Sequence, residues 1–316
     1  MPSFIDFARN QYTHLPIPEP PANIKDATYI VTGANTGLGY ECAKHLFHMG
    51  AKRIILAVRT PSKGEAALAT IRSETGRKDV GEVWELDLTS LDSVEAFAQR
   101  VNKLDRLDAI IENAGVVMTK FQLVEGIETS VLVNVVSTML LAFRVLPKLQ
   151  ESVGRFGIQT HLVIVSSNTS FQDNVKKHLE KLPGDIFDAL SVKKSFNPLV
   201  QYPITKLLEI YAVHQLASLR PVSDTGVIIN AQEHPKREAE TSFKLFSPGL
   251  KAMARTVRSV KLKSTVPFLL LYPRDVPAWV TNETGKRTQK RVWDDLLKRL
   301  ESLGHGVDIE ALTTES

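Results

Sequence analysis

The chain has 316 residues, of which 43% are hydrophobic and 23% charged, and its formal net charge at pH 7 is +4. This composition is that of a globular protein with a substantial core, which excludes disorder over most of the length. The lysine and arginine residues do not cluster into a basic stripe along the sequence. Nucleic acid is therefore not an expected partner, although an anionic cofactor is compatible with the charge.

The sequence shows no signal for a membrane or for secretion. The longest candidate apolar run, residues 266–272, is far shorter than the ~18 residues of a membrane span. The N-terminus lacks the basic flank and the apolar core of a signal peptide. The single cysteine, Cys42, excludes an intrachain disulfide and fits a reducing compartment. We therefore expect a cytoplasmic protein without a transmembrane segment.

Residues 1–25 are predicted to form an N-terminal extension, because four prolines between positions 16 and 21 interrupt any regular element. From residue 26 onward, short apolar runs alternate with longer helical patterns. Strands are predicted at residues 27–32, 53–58, 82–86, 108–111, 161–166 and 226–230, and helices near residues 38–50, 61–74, 91–104, 124–152, 202–220 and 287–300. This alternation predicts one α/β domain over residues 26–316, a Rossmann-type doubly wound parallel sheet flanked by helices.

A glycine-rich turn follows the first predicted strand and precedes the first predicted helix. It reads Thr32-Gly33-Ala34-Asn35-Thr36-Gly37-Leu38-Gly39. Glycines allow the backbone to turn tightly and to approach a pyrophosphate, and the helix that begins here directs free N–H groups at the anion. A glycine turn alone is a weak signal. In this strand–turn–helix context it predicts a dinucleotide site formed by residues Gly33, Thr36, Gly37, Leu38 and Gly39.

The end of the second predicted strand indicates which nicotinamide cofactor binds. A site for NAD usually places a carboxylate here, on the ribose 2′-hydroxyl. This chain instead has Arg59, and no acidic residue appears between Ala51 and Gly64. A guanidinium holds a 2′-phosphate bidentately, and Lys63 can add a further positive charge. The alternative is a solvated arginine at a strand end; with the glycines before it, Arg59 favours NADP(H).

Two further turns lie at the ends of the next strands. Asp87 follows the third strand and can accept a hydrogen bond from the adenine amino group. Asn113 begins Asn113-Ala114-Gly115 after the fourth strand, where small residues let an adenosine lie against the backbone. Each is an ordinary turn when taken alone, but both lie at the strand ends along which a bound dinucleotide would extend.

Tyr202 and Lys206 are spaced so that a helix places them on one face, a turn apart. Pro203 suits a first helical position, which predicts Tyr202 at the helix start. A nearby ammonium stabilises a phenolate and lowers the pKa of the phenol. The pair thus predicts a general acid for carbonyl reduction or a base for alcohol oxidation. This spacing is common by itself and usually marks a helix surface.

Two polar residues complete the predicted catalytic group. Ser167 ends the fifth predicted strand and can hold a substrate oxygen beside the Tyr202 hydroxyl, although two serines at a strand end are often only a turn. Asn134 lies in an apolar helical segment, where a buried amide must have partners. It either holds a water that passes protons to Lys206 or is a satisfied core residue.

These motifs occur in the order found in the short-chain dehydrogenase/reductase family, which the chain resembles from about residue 26 to residue 230. The resemblance implies that Asn134, Ser167, Tyr202 and Lys206 correspond to that family's catalytic tetrad. Closer similarity is to retinol-dehydrogenase-like members and to fungal reductases of secondary metabolism, in residues 202–208 and 289–293. It implies an NADP(H)-dependent oxidoreductase acting on a carbonyl or alcohol of a lipophilic small molecule, such as a polyketide-like intermediate.

The chain departs from the family pattern in two segments. Residues 170–198 are predicted to form an insertion beside the substrate cleft. Residues 231–285 are predicted to form a variable C-terminal lid region, in which the family's Pro-Gly is replaced by Pro235-Lys236 and the following threonine, Thr241, comes late. This second departure leaves an alternative open, namely a catalytically weak NADP(H)-binding sensor or scaffold protein on the same fold.

Partners other than the cofactor and a small-molecule substrate are not indicated. No set of side chains suggests a metal site. By resemblance, a homodimer is possible, because relatives often pair through the helices that correspond to residues 124–152 and 202–220.

Overall fold

The computed structural model describes residues 20–21, 23–234 and 276–310. Within these residues, six parallel strands form the main sheet in the order β3-β2-β1-β4-β7-β8, and a two-stranded antiparallel hairpin, β5-β6, follows β4. The strands are β1 (Thr28–Thr32), β2 (Arg53–Val58), β3 (Glu82–Glu85), β4 (Ala109–Glu112), β5 (Leu123–Val124), β6 (Ile127–Glu128), β7 (Thr160–Ser167) and β8 (Val227–His234). The strand order reverses between β1 and β4, the position at which doubly wound sheets bind ligands.

Helices connect the strands and cover both faces of the sheet. They are α1 (Gly37–Met49), α2 (Pro61–Thr75), α3 (Leu91–Val101), α4 (Thr129–Phe156), α5 (Asp173–Glu180), α6 (Ile186–Leu190), α7 (Pro198–Leu219), α8 (Val222–Thr225), α9 (Ala278–Thr281) and α10 (Glu283–Ser302). The doubly wound α/β fold expected from the sequence is thus confirmed.

Two hydrophobic cores lie on opposite faces of the sheet because successive side chains of a strand point to opposite faces. Within β1, Tyr29 and Val31 join the core beneath α1 and α2. Ile30 joins the larger core formed with α3, α4, α7 and α10. All five residues of β1 are buried, as expected for a central parallel strand.

Helix α4 is long and apolar enough, by length and composition, to cross a membrane. However, 94% of its most apolar window is buried inside the fold, as in a core helix. Its residues Leu132–Ser137 form a π-helical segment, a local widening that is frequent at functional sites and that contains Asn134. The apolarity of α4 is therefore explained by its position between the sheet and its neighbouring helices.

Helix α10 packs against α7 and reaches α4. Its Val292, Leu296 and Leu300 are completely buried in the larger core. Trp293 meets Phe143 of α4 edge to face, with ring centroids 5.6 Å apart. The C-terminal part of the chain is thus part of the main core rather than an appendage.

The insertion predicted at residues 170–198 contains α5 and α6 and is packed, not loose. Ile186 and Phe187 of α6 are completely buried. The backbone N–H of Ile186 donates to Asp295 of α10 over 2.9 Å, and Arg299 of α10 pairs with Asp185 at 3.4 Å. These contacts fix the segment to the C-terminal helix. Most of the predicted N-terminal extension, and residues 235–275 of the predicted lid region, lie outside the described residues.

The predicted start of the catalytic helix was wrong. Helix α7 begins at Pro198, where the Asn197 side chain accepts a hydrogen bond from Leu199 N at 3.0 Å and caps the helix. Pro203 therefore lies inside the helix, and Tyr202 lies in its second turn. The sequence contains two prolines that suit a first helical position, and the capping asparagine selects the earlier one.

Candidate active site

The glycine-rich turn lies at the carboxyl end of β1, between the ends of β2 and β4. Gly33 has a φ of +66° and donates its N–H to Ala57 O of β2 over 2.8 Å. On the other side, Thr32 Oγ1 accepts hydrogen bonds from Asn113 N (3.0 Å) and Ala114 N (2.9 Å). The turn predicted to bind the pyrophosphate is therefore fixed to both neighbouring strands.

The turn is closed too tightly for side chains at two of its glycines. A Cβ on Gly39 would lie 2.5 Å from Asn113 Nδ2 and 2.6 Å from Gly33 O. A Cβ on Gly33 would lie 3.1 Å from the Cα of Ala114. Asn113 is held in this position by its side chain, which donates to Thr32 O over 3.0 Å. The close approach of backbone segments explains these glycines and gives Asn113 a structural role in shaping the turn.

Replacing Gly39 by alanine is expected to destabilise the cofactor-free protein by about 1–3 kcal/mol, because the backbone of Gly33 cannot move without breaking the turn. The measurement is the urea midpoint of unfolding at constant m-value. Gly154→Ala is the matched control, because Gly154 lies in α4 with open space around its Cα and should gain up to about 1 kcal/mol. Equal midpoints for the two variants would contradict the packing argument.

The N-terminus of α1 leaves its first backbone donors available. Thr36 is the N-cap residue, and its side chain makes no capping hydrogen bond. Both Thr36 and Gly37 are exposed, whereas Leu38 and Gly39 are buried with their side-chain positions turned into the fold. An uncapped helix start of this kind binds a phosphate through its N–H groups and its positive dipole end.

Arg59 and Lys63 are both exposed beside this turn, at the end of β2 and in the first turn of α2. Neither makes an ion pair within the part of the chain that the structure describes. Asp87, at the end of β3, accepts hydrogen bonds from Thr89 N (2.9 Å) and Thr89 Oγ1 (2.7 Å) through one carboxylate oxygen. The predicted cofactor residues thus lie after the ends of neighbouring strands. Arg59 and Lys63 provide two positive charges there, and Asp87 provides a carboxylate of which one oxygen already accepts hydrogen bonds.

Tyr202, Lys206 and Ser167 come together at the carboxyl edge of the sheet. The Lys206 ammonium lies 5.7 Å from the centroid of the Tyr202 ring. It donates to Val165 O of β7 over 2.8 Å, and a Cβ on Gly115 would lie 3.6 Å from it. Ser167 ends β7; its hydroxyl accepts from Thr169 N (3.3 Å), shares a hydrogen bond with Thr169 Oγ1 (3.0 Å), and acts to lower the pKa of Tyr202. The structure therefore gathers the predicted catalytic side chains beside the Asn-Ala-Gly turn.

The expected lowering of the Tyr202 pKa was wrong for the protein without cofactor. Burial raises the pKa of this phenol above its ordinary value, and this effect outweighs the opposite effects of the Lys206 charge and of Ser167. The carboxylate of Glu209 adds to the rise.

Asn134 is fully buried and connects three segments. Its Oδ1 accepts from Val116 N (2.8 Å), while its Nδ2 donates to Val116 O (3.0 Å) and to Thr205 Oγ1 (3.0 Å). Both amide hydrogens are thus engaged, and one lone pair of Oδ1 remains for a water or a ligand. The geometry fits a residue that fixes α7 to the loop after β4, beside Lys206.

Two buried carboxyl groups near Lys206 were missed by the sequence reasoning. Glu209 Oε1 accepts from Lys206 Nζ over 2.7 Å, and both side chains are almost completely buried. Glu112 ends β4, is also buried, and finds no hydrogen-bond partner for either oxygen among the described residues. Two features of the sequence could have indicated them. Glu112 is an acid in an otherwise apolar strand, and Glu209 is an acid three positions after Lys206, on the same helix face.

Comparisons with known proteins show the family of the chain. Residues 27–178 match the family model for short chain dehydrogenase. The chain is 34% identical over 312 residues to the short chain dehydrogenase/reductase dmxR8 of Cryptosporiopsis sp. (strain 8999), covering 92% of this chain and 95% of that protein. It is 38% identical to the short chain dehydrogenase atnD of Emericella nidulans, over 71% of both chains.

A solved structure shares the fold at lower identity. The short-chain dehydrogenase from Sphingobium yanoikuyae, in complex with NADPH, is 20% identical with a TM-score of 0.57, over 83% of this chain and 93% of that one. Within the described residues, no three side chains are grouped in a way that could hold a metal ion. Ser167, Tyr202 and Lys206 meet at the carboxyl edge of a sheet with this strand order. Together with the sequence relatives, this shows that the chain belongs to the short-chain dehydrogenase/reductase family of oxidoreductases.

Proposed function

We propose that the protein is an NADP(H)-dependent oxidoreductase that interconverts a carbonyl and an alcohol on a lipophilic small molecule. The observation that carries this proposal is the meeting of Tyr202, Ser167 and Lys206 at the sheet edge that also holds the glycine turn. A hydride donor held by the turn and a proton donor held by α7 are the two components that carbonyl reduction requires.

The residues of the chain have distinct roles in this reaction. The glycine turn and the start of α1 would hold the nicotinamide cofactor, whose chemistry would be to supply or accept the hydride. The Ser167 hydroxyl holds the substrate oxygen, and the Tyr202 hydroxyl donates its proton to that oxygen in reduction or removes it in oxidation. The Lys206 ammonium stabilises the phenolate that remains. Asn134, through Thr205, keeps the Lys206 turn of α7 in place.

The charges around the turn support NADP(H) over NAD(H). Arg59 and Lys63 are exposed next to the expected position of the adenosine ribose, and the end of β2 carries no carboxylate. A guanidinium recognises a phosphate by charge-assisted bidentate hydrogen bonds, whereas a carboxylate at this position would repel it.

Apolar side chains beside the site support a lipophilic substrate. Among the described residues, the large hydrophobic side chains that remain exposed are Val117, Leu123, Val192 and Leu199. All belong to the segments that follow β4 and β7 at the carboxyl edge. Phe121 and Phe196 join these segments through edge-to-face rings 5.7 Å apart. Exposed apolar surface beside a polar catalytic group suits a mostly apolar ligand with one oxygen, as in secondary metabolism.

The test is a fluorescence titration with NADPH and NADH, followed by turnover with a panel of aromatic and aliphatic aldehydes and ketones. We expect NADPH to bind more tightly than NADH, and we expect turnover. Binding of NADPH without turnover on any member of the panel would favour the second candidate, a cofactor-binding sensor or scaffold protein. The ion pair of Lys206 with Glu209 and the raised pKa of Tyr202 are the observations in its favour. Binding of neither nucleotide would contradict both.

A further inference from the structure

The ammonium of Lys206 is not free to act on Tyr202 alone. Its Nζ donates to Glu209 Oε1 over 2.7 Å and to Val165 O over 2.8 Å. The exposed fractions of the two side chains are 4% for Lys206 and 1% for Glu209. Because the pair is shielded from bulk solvent, the negative charge of Glu209 acts strongly on the groups beside it.

Glu112 does not compete for the ammonium. It is buried at the end of β4, and both of its oxygens lack a hydrogen-bond partner among the described residues. Burial, with the added repulsion of Glu209, raises the pKa of Glu112 well above its ordinary value. Glu209 is the one negative counter-ion that contacts Lys206 in the described structure.

Opposing effects set the pKa of Glu209 itself. Burial raises the pKa of Glu209 to about 7, although Lys206 and the Ser166 hydroxyl of β7 act to lower it. The charge of Glu209 in turn raises the pKa of Tyr202, which Lys206 lowers. The ionisable groups that interact here are thus Tyr202, Lys206 and Glu209 on α7 and Glu112 on β4.

We propose that Glu209 is a positioning residue for Lys206, whose carboxylate holds the ammonium and sets how strongly it stabilises the Tyr202 phenolate. When Glu209 is charged, its carboxylate offsets part of the effect of the ammonium on the phenol. When Glu209 takes up a proton, the ammonium acts fully on the phenol. Because this inference rests on the proposed function for its kinetic readout, it also needs a readout that does not require turnover.

The test compares Glu209→Gln with the wild type. The amide carbonyl still accepts from Lys206 but carries no charge, so we expect the midpoint of Tyr202 ionisation to fall by about one pH unit. The midpoint is measured from the ultraviolet absorbance of tyrosinate, after subtraction of the same protein carrying Tyr202→Phe. In turnover, the pH limb of kcat/KM that belongs to Tyr202 should move to lower pH by the same amount, for reduction and for oxidation alike.

Glu151→Gln is the matched control. Glu151 pairs with a buried lysine, Lys148, at the same spacing on α4 and at 2.6 Å, but away from the site. We expect it to leave both midpoints in place. An unshifted Tyr202 midpoint in folded Glu209→Gln protein, with NADPH binding as the check on folding, would overturn the inference.

If Glu209→Gln does not fold, a measurement on the wild type alone tests the role of Glu209. The kcat/KM profile of the wild type should then show an inflection near pH 7, from Glu209 itself. A profile that is smooth through this range would overturn the inference. Absence of any turnover by the wild type is a failure of the proposed function instead, and the tyrosinate titration still tests Glu209 in that case.

Discussion

Replacing Tyr202 by phenylalanine is expected to lower kcat by about 10³-fold while leaving the affinity for NADPH nearly unchanged. The substitution removes only the hydroxyl that transfers the proton, and the half-buried ring that packs beside Lys206 remains. The measurement is steady-state turnover on the best carbonyl substrate of the panel, together with a fluorescence titration of NADPH.

Tyr211→Phe provides the control for this variant. Tyr211 lies on the same helix, but it is almost completely buried in the core and does not face the site. We expect its kcat to remain close to that of the wild type. If both variants lose activity to the same extent, the effect of Tyr202→Phe is structural, and the assignment of Tyr202 as general acid or base is wrong.

Charge reversal at Arg59 is expected to give the second large effect. Arg59→Asp would remove the charge-assisted contact that we propose to the 2′-phosphate and place a repelling carboxylate beside it, so NADPH affinity should fall by about 10²-fold. The same carboxylate can accept from a ribose 2′-hydroxyl, so the preference should move towards NADH. Both dissociation constants are measured by titration at one fixed ionic strength, because screening changes such contacts.

Lys52→Asp makes the same change of charge at the other end of β2. Lys52 is exposed and precedes Arg53, the first residue of the strand, at the amino edge of the sheet. Its substitution should leave the ratio of NADPH to NADH affinity unchanged. An equal loss of NADPH affinity in the two variants would indicate a general effect of net charge rather than recognition of the phosphate by Arg59.

The alternation of apolar runs and helical patterns was sufficient to predict the fold. The second strand was predicted with its exact bounds, and every strand of the main sheet was found. Buried central strands such as β4 contain a short apolar run, whereas the edge strand β3 is only partly buried. The start of α7 was misplaced because capping at Asn197 depends on side-chain geometry that the pattern does not contain. The role of Asn113 in closing the turn likewise depends on a distance between two strand ends.

The site residues were predicted as a set, but their electrostatics were not. The motif places Lys206 one turn from Tyr202, and from this spacing the sequence predicts that the ammonium lowers the pKa of Tyr202. The structure adds that this face of α7 is buried and that Glu209 lies on it as well. Burial decides the direction of the Tyr202 pKa, and burial of a particular helix face is set by tertiary packing rather than by spacing.

The position of α10 has a consequence for the stability of the segment between β7 and α7. Val292, Leu296 and Leu300 bury one side of α10 in the larger core, and Trp293 packs on Phe143 of α4. The same helix holds α6, through Asp295 and Arg299. A substitution that displaced α10 from the core would therefore also release α6.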